Sequence, residues 1–324
     1  MKNILVFGGA GYIGSHTLKH LLNEGYSCVV ADNLIYGHKE AVDKRAKFIH
    51  SDLLDLTSLK NIFKKEKIDA VVRFAAFAYV GESVIDPAKY YQNNLIGTCN
   101  LLNTMLDFGV KDIVFSSTCA TYGEPLYTPI DEKHVQNPIN AYGRSKLMIE
   151  QIFKDYERAY GLRHISLRYF NAAGASIDGS IGESHEPETH LIPLVLKAIK
   201  GEIEAINVFG TDYDTKDGTC ERDYIHVEDL ALAHRLALEN LHKYSGCINL
   251  GTGISTSVKE LIDTAKELSG KDCAINYAPR REGDPAKLFA DNKKAKQILG
   301  WEPKFKDIKD ILKSAWNWEN NRKF

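Results

Sequence analysis

Tyr142 and Lys146 stand four residues apart in Tyr142-Gly143-Arg144-Ser145-Lys146, a spacing that projects both side chains from one face of a helix, one turn apart. A lysine held there favours the phenolate and brings the tyrosine down from about 10 toward neutrality. Such a phenolate is a base for an alcohol hydroxyl. Near the start of the chain, Gly8, Gly11 and Gly14 spell GxxGxxG between an apolar run and an amphipathic stretch. Glycines at that junction let the backbone approach a pyrophosphate at a helix N-terminus. A nucleotide able to take a hydride, beside a tyrosine base, describes a dehydrogenase half-reaction on an alcohol. Each motif also has an ordinary reading, as a tight turn and as a surface helix. The context favours chemistry: the glycines have a strand before them and a helix after, and the Tyr-Lys pair begins the helix that follows a fifth strand.

Further candidates lie at strand ends. Asp32 ends the second strand, 18 residues after Gly14, where a carboxylate binds an adenosine ribose diol and repels a 2′-phosphate, so NAD is expected over NADP. Asp52 ends the third strand and reads either as an adenine contact or as a helix N-cap. Ser116, Ser117 and Thr118 close the fifth strand, where a hydroxyl either binds the reacting oxygen or supplies turn polarity. Cys119 beside them reads as a buried thiol.

Positioning these residues requires a particular set of elements. Strands are expected at Asn3–Phe7, Ser27–Ala31, Lys47–His50, Ala70–Phe74, Ile113–Ser116 and His164–Leu167. Helices are expected at Tyr12–Asn23, Leu53–Lys65, Pro87–Phe108 and Asn140–Tyr160. That alternation predicts an α/β, Rossmann-type doubly wound parallel sheet over 1–171, the NAD-binding domain. Residues 172–324, more irregular and richer in turn signals, read as a smaller mixed α/β substrate domain, with part of 223–250 a candidate to pack back on the first.

Composition narrows the function. A formal net charge of -2 gives no global field for nucleic acid or membrane. Six scattered cysteines without a CxxC pair fit a reducing, cytoplasmic setting. The eleven histidines contain no HExxH pattern, so no metal site is expected. The run Ile4–Phe7 is a strand's length and leads into the glycines, which argues against a signal peptide.

Taken together, GGAGYIGSHT at 8–17, DNL at 32–34, VGES at 80–83, YYQNN at 90–94, FSST at 115–118, YGRSKLM at 142–148, LRYFN at 167–171, DGT at 217–219, RDYIHV at 222–227 and APRREGD at 278–284 resemble the UDP-glucose 4-epimerase family of extended short-chain dehydrogenases/reductases. The likeness covers nearly the whole chain. It implies a tightly held NAD regenerated in each cycle and contacted by Gly8, Gly11, Tyr12, Ile13, Gly14, Asp32, Asn33, Asp52, Leu53, Phe74, Ala75, Ala76, Asn93, Ser116 and Tyr169. It implies that Tyr142 takes the proton of the sugar 4-hydroxyl, that Lys146 holds the nicotinamide ribose and keeps Tyr142 acidic, and that Thr118 positions the hydroxyl. It implies a UDP-sugar held by Asn171, His190, Leu191, Phe209, Arg222, Arg281 and Asp284, with the arginines on the diphosphate, and a homodimer formed through a four-helix bundle of the two long helices.

Three positions depart from the family pattern. Ala78 replaces a lysine that touches NAD in some members, and His190 replaces an asparagine. Leu288 stands where a tyrosine narrows the sugar pocket, and a smaller residue there admits an N-acetyl group. The departure predicts turnover of UDP-GlcNAc and UDP-GalNAc beside UDP-glucose and UDP-galactose, unless a neighbouring side chain fills the space. A sugar-nucleotide 4,6-dehydratase needs an Asp-Glu pair after Thr118, where this chain has Cys119-Ala120. An epimerase of UDP-uronic acids or pentoses and a non-catalytic NAD sensor stay as alternatives; a sensor has no need of Tyr142 and Lys146.

Overall fold

The computed structural model describes residues 2–281 and 283–324. The first half alternates strand and helix: β1 Asn3–Phe7, α1 Tyr12–Asn23, β2 Ser27–Asp32, β3 Lys47–His50, α2 Leu56–Glu66, β4 Ala70–Arg73, α3 Val80–Ile85, α4 Pro87–Tyr90, α5 Gly97–Asp107, β5 Asp112–Thr118, α6 Ala141–Tyr160 and β6 Arg163–Tyr169. The second half carries β7 Asn171–Ala173, α7 Leu191–Lys200, β8 Ile206–Phe209, β9 Glu221–Arg222, β10 Tyr224–His226, α8 Val227–Asn240 and β11 Gly246–Leu250. It ends with β12 Thr256–Ser257, α9 Val258–Ser269, β13 Ile275–Ala278, β14 Lys287–Leu288, α10 Lys293–Leu299 and α11 Ile308–Asn320.

One seven-stranded parallel sheet organises the molecule, in the order β11-β6-β5-β4-β1-β2-β3. The strand order reverses between β1 and β4, and such a switch point opens a crevice at the carboxyl ends of the strands. The period-2 alternation of β1 buries Ile4 and Val6 on one face with Leu18 and Leu21 of α1 and Leu230 of α8. Leu5 and Phe7 go to the other face with Leu59, Leu101, Met105, Ile149 and Phe153. A separate core joins α7, α9 and α11 to β8 through Leu196, Val208, Leu261, Ile262 and Leu312. Strand β11 comes from late in the chain yet pairs along β6, with Ile248 opposite Leu167.

Two local features differ from expectation. Asp52 does not cap α2; Asp55 does, accepting the Ser58 N–H at 3.0 Å. Asp52 accepts from the Leu54 N–H at 2.8 Å and from Asn33 Nδ2 at 2.7 Å, which ties the ends of β2 and β3 together. The expected helix Pro87–Phe108 is interrupted by a π stretch at Tyr91–Ile96. There the Asn94 carbonyl accepts from Thr98 and from Arg73 Nη2, and side-chain and outside donors of this kind accompany widened turns.

Candidate active site

The sequence folds locally so that the glycine loop is open only toward the crevice. Gly8 has φ +85°, and a Cβ there would lie 2.3 Å from the Ala75 nitrogen; at Gly14 it would lie 2.1 Å from the Gly8 carbonyl oxygen. Both glycines are required by the protein's own packing. Gly11 is different: its φ is -79° and an added Cβ would meet nothing nearer than 3.5 Å. Its lack of a side chain suits an external group approaching the backbone. Gly11 is also the N-cap of α1 and brings no side-chain acceptor to the helix's first N–H groups, a donor set that fits a pyrophosphate. Asp32 is buried beside this loop, its Oδ2 accepting from Ala10 at 3.0 Å and its Oδ1 from Leu34 at 2.9 Å. These residues fit a dinucleotide whose ribose lies at the end of β2. Phe74, Ala75 and Ala76 follow β4 at the same edge, and the Phe74 and Ala75 amides bond to the Phe7 carbonyl at 2.7 and 3.1 Å.

The reacting groups gather at the ends of β5 and β6. Asn140 caps α6 through the Gly143 N–H at 2.8 Å, and this starts the helix in the phase that turns Tyr142 and Lys146 toward β5. Lys146 Nζ donates to the Ser116 carbonyl at 2.7 Å and lies 4.8 Å from the Phe115 ring centroid. Tyr169 and Ser116 are joined hydroxyl to hydroxyl. Asn93 donates to Asn94 Oδ1 at 2.9 Å, and Asn94 in turn bonds both backbone groups of Phe77 at 3.0 Å.

The electrostatics of the pair differ from the expectation raised by its spacing. Burial pushes the Tyr142 phenol up to about 12, with Thr118 pulling the other way. Lys146 Nζ sits 5.7 Å from the Tyr142 ring centroid and is turned to a carbonyl rather than to the phenol oxygen. Burial and the neighbouring Arg73 push the Lys146 ammonium itself well below its ordinary value. Arg73, wholly buried, has Nε and Nη1 without partners, and sequence reasoning passed it over as part of a strand. Cys119 is buried and its thiol is pushed up to about 12 by that burial, as an inert thiol's should be.

The substrate candidates fall into three groups. Leu288 packs with Cys119, Tyr122, Ile130 and Phe170, one residue from Thr118. In β14 it lies opposite Arg222 of β9, and Arg222 pairs with Asp284 through Nη2 while Nη1 donates to the Glu221 and Pro285 carbonyls at 2.8 Å. Asn171 Nδ2 donates to the Asp223 carbonyl at 3.0 Å, next to this pair. Second, the Arg281 guanidinium stacks 3.8 Å from the Phe209 ring centroid. Third, His190 and Leu191 stand at the start of α7. Leu191 packs into the core of the second half, and His190 is engaged by Glu183 and Glu188 at 2.9 and 3.0 Å.

The structure also gathers what no HExxH search would find. Glu183, His185, Glu188 and His190, spaced E-x-H-x-x-E-x-H, bring one ligand atom each within 4.8 Å of one another. No zinc-like spacing marks these residues in the sequence; the fold brings the four side chains together. Burial opposes their charge, yet the two carboxylates hold His185 up to about 9 and His190 up to about 10.

Comparison with known proteins agrees with this geometry. The model of the NAD dependent epimerase/dehydratase family matches residues 4–251. A UDP-glucose 4-epimerase of Rhizobium meliloti is 54% identical over 99% of this chain and 98% of its own. The crystal structure of UDP-glucose 4-epimerase from Brucella ovis in complex with NAD superimposes with a TM-score of 0.95 at 49% identity, covering 98% of each chain. The UDP-Glc/GlcNAc 4-epimerase of Campylobacter jejuni superimposes with a TM-score of 0.88 at 44% identity, covering 99% of this chain and 100% of that one. Among the described residues, no helix is long and apolar enough to cross a membrane.

Proposed function

The chain belongs to the NAD dependent epimerase/dehydratase family, and we propose that its sugar pocket accepts N-acetylated UDP-sugars beside UDP-glucose and UDP-galactose. The protein is an NAD-dependent UDP-sugar 4-epimerase. The wider substrate range is supported by one observation: Leu288, where the family resemblance implies a tyrosine, is only partly buried and packs against the small core that includes Cys119, the residue after Thr118.

In this reading Thr118 holds the sugar O4 and Tyr142 removes its proton. When bound, NAD supplies a hydride acceptor that is recovered in each cycle and a positive ring that favours the phenolate. Lys146 orients the nicotinamide ribose, and its Ser116 bond fixes it under Tyr142. Arg222 and Arg281 grip the diphosphate, Phe209 lies in the strand beside the uracil with Arg281 stacked on its ring, and Asp284 accepts from the uridine ribose. A firm hold on UDP and a loose hold on the sugar let the 4-keto intermediate turn about its link to the diphosphate. C4 would recover its hydride on the opposite face, and Tyr142 then returns the proton to O4. Exposed Ile96 and Tyr160, on the two long helical runs, are available to a second copy in a homodimer.

Proton NMR of the purified enzyme with UDP-glucose and, separately, UDP-GlcNAc tests this reading. Both C4 epimer pairs are expected without added NAD. Conversion of UDP-glucose alone discards the wide pocket and keeps the epimerase. In the same assay Tyr142→Phe should lower turnover by roughly 10²–10⁴-fold with NAD still bound; near-full activity would remove Tyr142 from the chemistry.

A further inference from the structure

We propose that Glu183, His185, Glu188 and His190 bind one zinc ion, which clamps the segment 183–190 against the cofactor loop. Two imidazoles and two carboxylates are a common donor set for this metal, and four ligands suit its tetrahedral preference. The spacing supports that geometry. With metal–ligand bonds of about 2.0–2.2 Å, the edges of the tetrahedron are about 3.3–3.6 Å. His185 Nδ1 lies 3.2 Å from Glu183 Oε1 and 3.7 Å from Glu188 Oε2, and His190 Nδ1 lies 2.9 Å from Glu183 Oε1 and 3.0 Å from Glu188 Oε1; with one atom from each residue the set spans 4.8 Å, so the side chains draw in slightly around the ion.

A second observation points to a ligand. His185 Nδ1 is buried and makes no hydrogen bond, although carboxylates surround it. A divalent cation taking the place of the imidazole protons would give this atom the partner it lacks. The frame behind the cluster is rigid. Trp318 Nε1 donates to the Glu183 carbonyl at 2.8 Å, and the Thr189 and His190 amides donate to Glu188 Oε1 at 2.8 Å. Such contacts orient metal ligands from behind. Two carboxylates with two neutral imidazoles balance the charge of a divalent cation in a partly buried site.

The position gives the site a use. The His185 ring stands edge-on to Tyr12 at 6.3 Å, and Tyr12 opens α1 directly after the glycine loop, its hydroxyl bonding the Gly174 carbonyl at 2.6 Å. A metal that fixes His185 therefore fixes the strap lying over the start of α1.

The test uses the NAD-bearing enzyme and needs no turnover. Elemental analysis should find about one zinc per chain. A His185→Gln/Glu188→Gln double variant should lose it, and a His242→Gln control should keep it. Chelated wild-type protein titrated with Co²⁺ should develop intense visible bands of tetrahedral cobalt, and zinc should raise its melting temperature by on the order of 5 °C. Chelation should also speed the loss of NAD on gel filtration. Equal zinc in wild type and double variant overturns the assignment. So does absence of both zinc and the cobalt bands in wild type; the cluster is then a knot of protonated histidines and carboxylates.

Discussion

The Glu150–Arg168 pair and the Arg222–Asp284 pair place the same two chemical groups in opposite surroundings. Glu150 and Arg168 join α6 to β6 with side-chain exposures of 1% and 4%. Every polar atom there is spoken for: Arg168 donates to Glu150 at 2.9 and 2.6 Å and to the Tyr122 hydroxyl at 2.8 Å. Ser117, next to Thr118, donates to Glu150 at 2.6 Å. Asp284, by contrast, is 28% exposed and sits on irregular chain just before β14. A closed pair of this kind can only support its neighbours, whereas a half-open one can exchange its carboxylate for a phosphate. On the proposed assignment, the closed pair belongs to a half of the molecule that holds reacting groups still, and the open pair to a half that takes hold of a ligand and lets go.

Breaking the closed pair should have the largest effect. Glu150→Ala leaves Arg168 charged and buried and should cost about 3–5 kcal/mol of stability, read from urea unfolding. It should also reduce turnover, because Ser117 loses its acceptor beside Thr118. A loss below about 1 kcal/mol would show that the pair is not the frame. Burial opposes the Glu150 charge, but Arg168 and its other donors hold the carboxyl below its usual value. Its folded pKa is therefore the lower one. The stability it adds is complete above the ordinary carboxyl range and is lost as pH falls through the depressed value. The acid limb of the wild-type stability curve should be shallower in Glu150→Gln, the remainder coming from carboxylates such as Asp178 that are also held below their usual value.

How much of this was legible in the sequence follows the same division. The glycine loop, β1 to β6 and the Tyr142–Lys146 spacing are local patterns, and local patterns are readable. Their partners are not. The helical phase placed Lys146 beside Tyr142, but only the fold shows that its ammonium is turned to the Ser116 carbonyl. Asp52 and Asp55 both precede α2, and the helix begins at Leu56, so Asp55 caps it while Asp52 bonds to Asn33 at the end of β2. Glu150 and Arg168 gave no signal, since a carboxylate on a helix and an arginine on a strand are usually solvated. The Glu183–His190 cluster was passed over because its spacing matches no helical ligand motif and needs an irregular loop to close.

The open pair should yield a smaller and differently placed effect. Arg222→Ala removes a charge-assisted hydrogen-bond donor from the proposed diphosphate site, an interaction of about 1.5–3 kcal/mol. KM for UDP-glucose should rise roughly 10–100-fold with kcat nearly unchanged, and the unfolding midpoint should move far less than in Glu150→Ala. A fall in kcat at constant KM would place Arg222 with the reacting groups instead and erase the distinction.

The subtlest change concerns the residue that touches both halves. Leu288 lies opposite Arg222 in the strand register and packs against the small core that includes Cys119, the neighbour of Thr118. Leu288→Tyr adds a ring and a hydroxyl where the acetamido group of UDP-GlcNAc is proposed to lie. Filling a pocket by that much should cost kcat/KM for UDP-GlcNAc about 10-fold or more, while UDP-glucose changes less than about threefold. Equal losses for both substrates would mean that the bulkier side chain disturbs Cys119 and Thr118, so that Leu288 belongs to the frame. No change for either would mean that the acetamido group lies elsewhere. A loss confined to the N-acetylated sugar assigns Leu288 to the holding half, even though it packs against the reacting one.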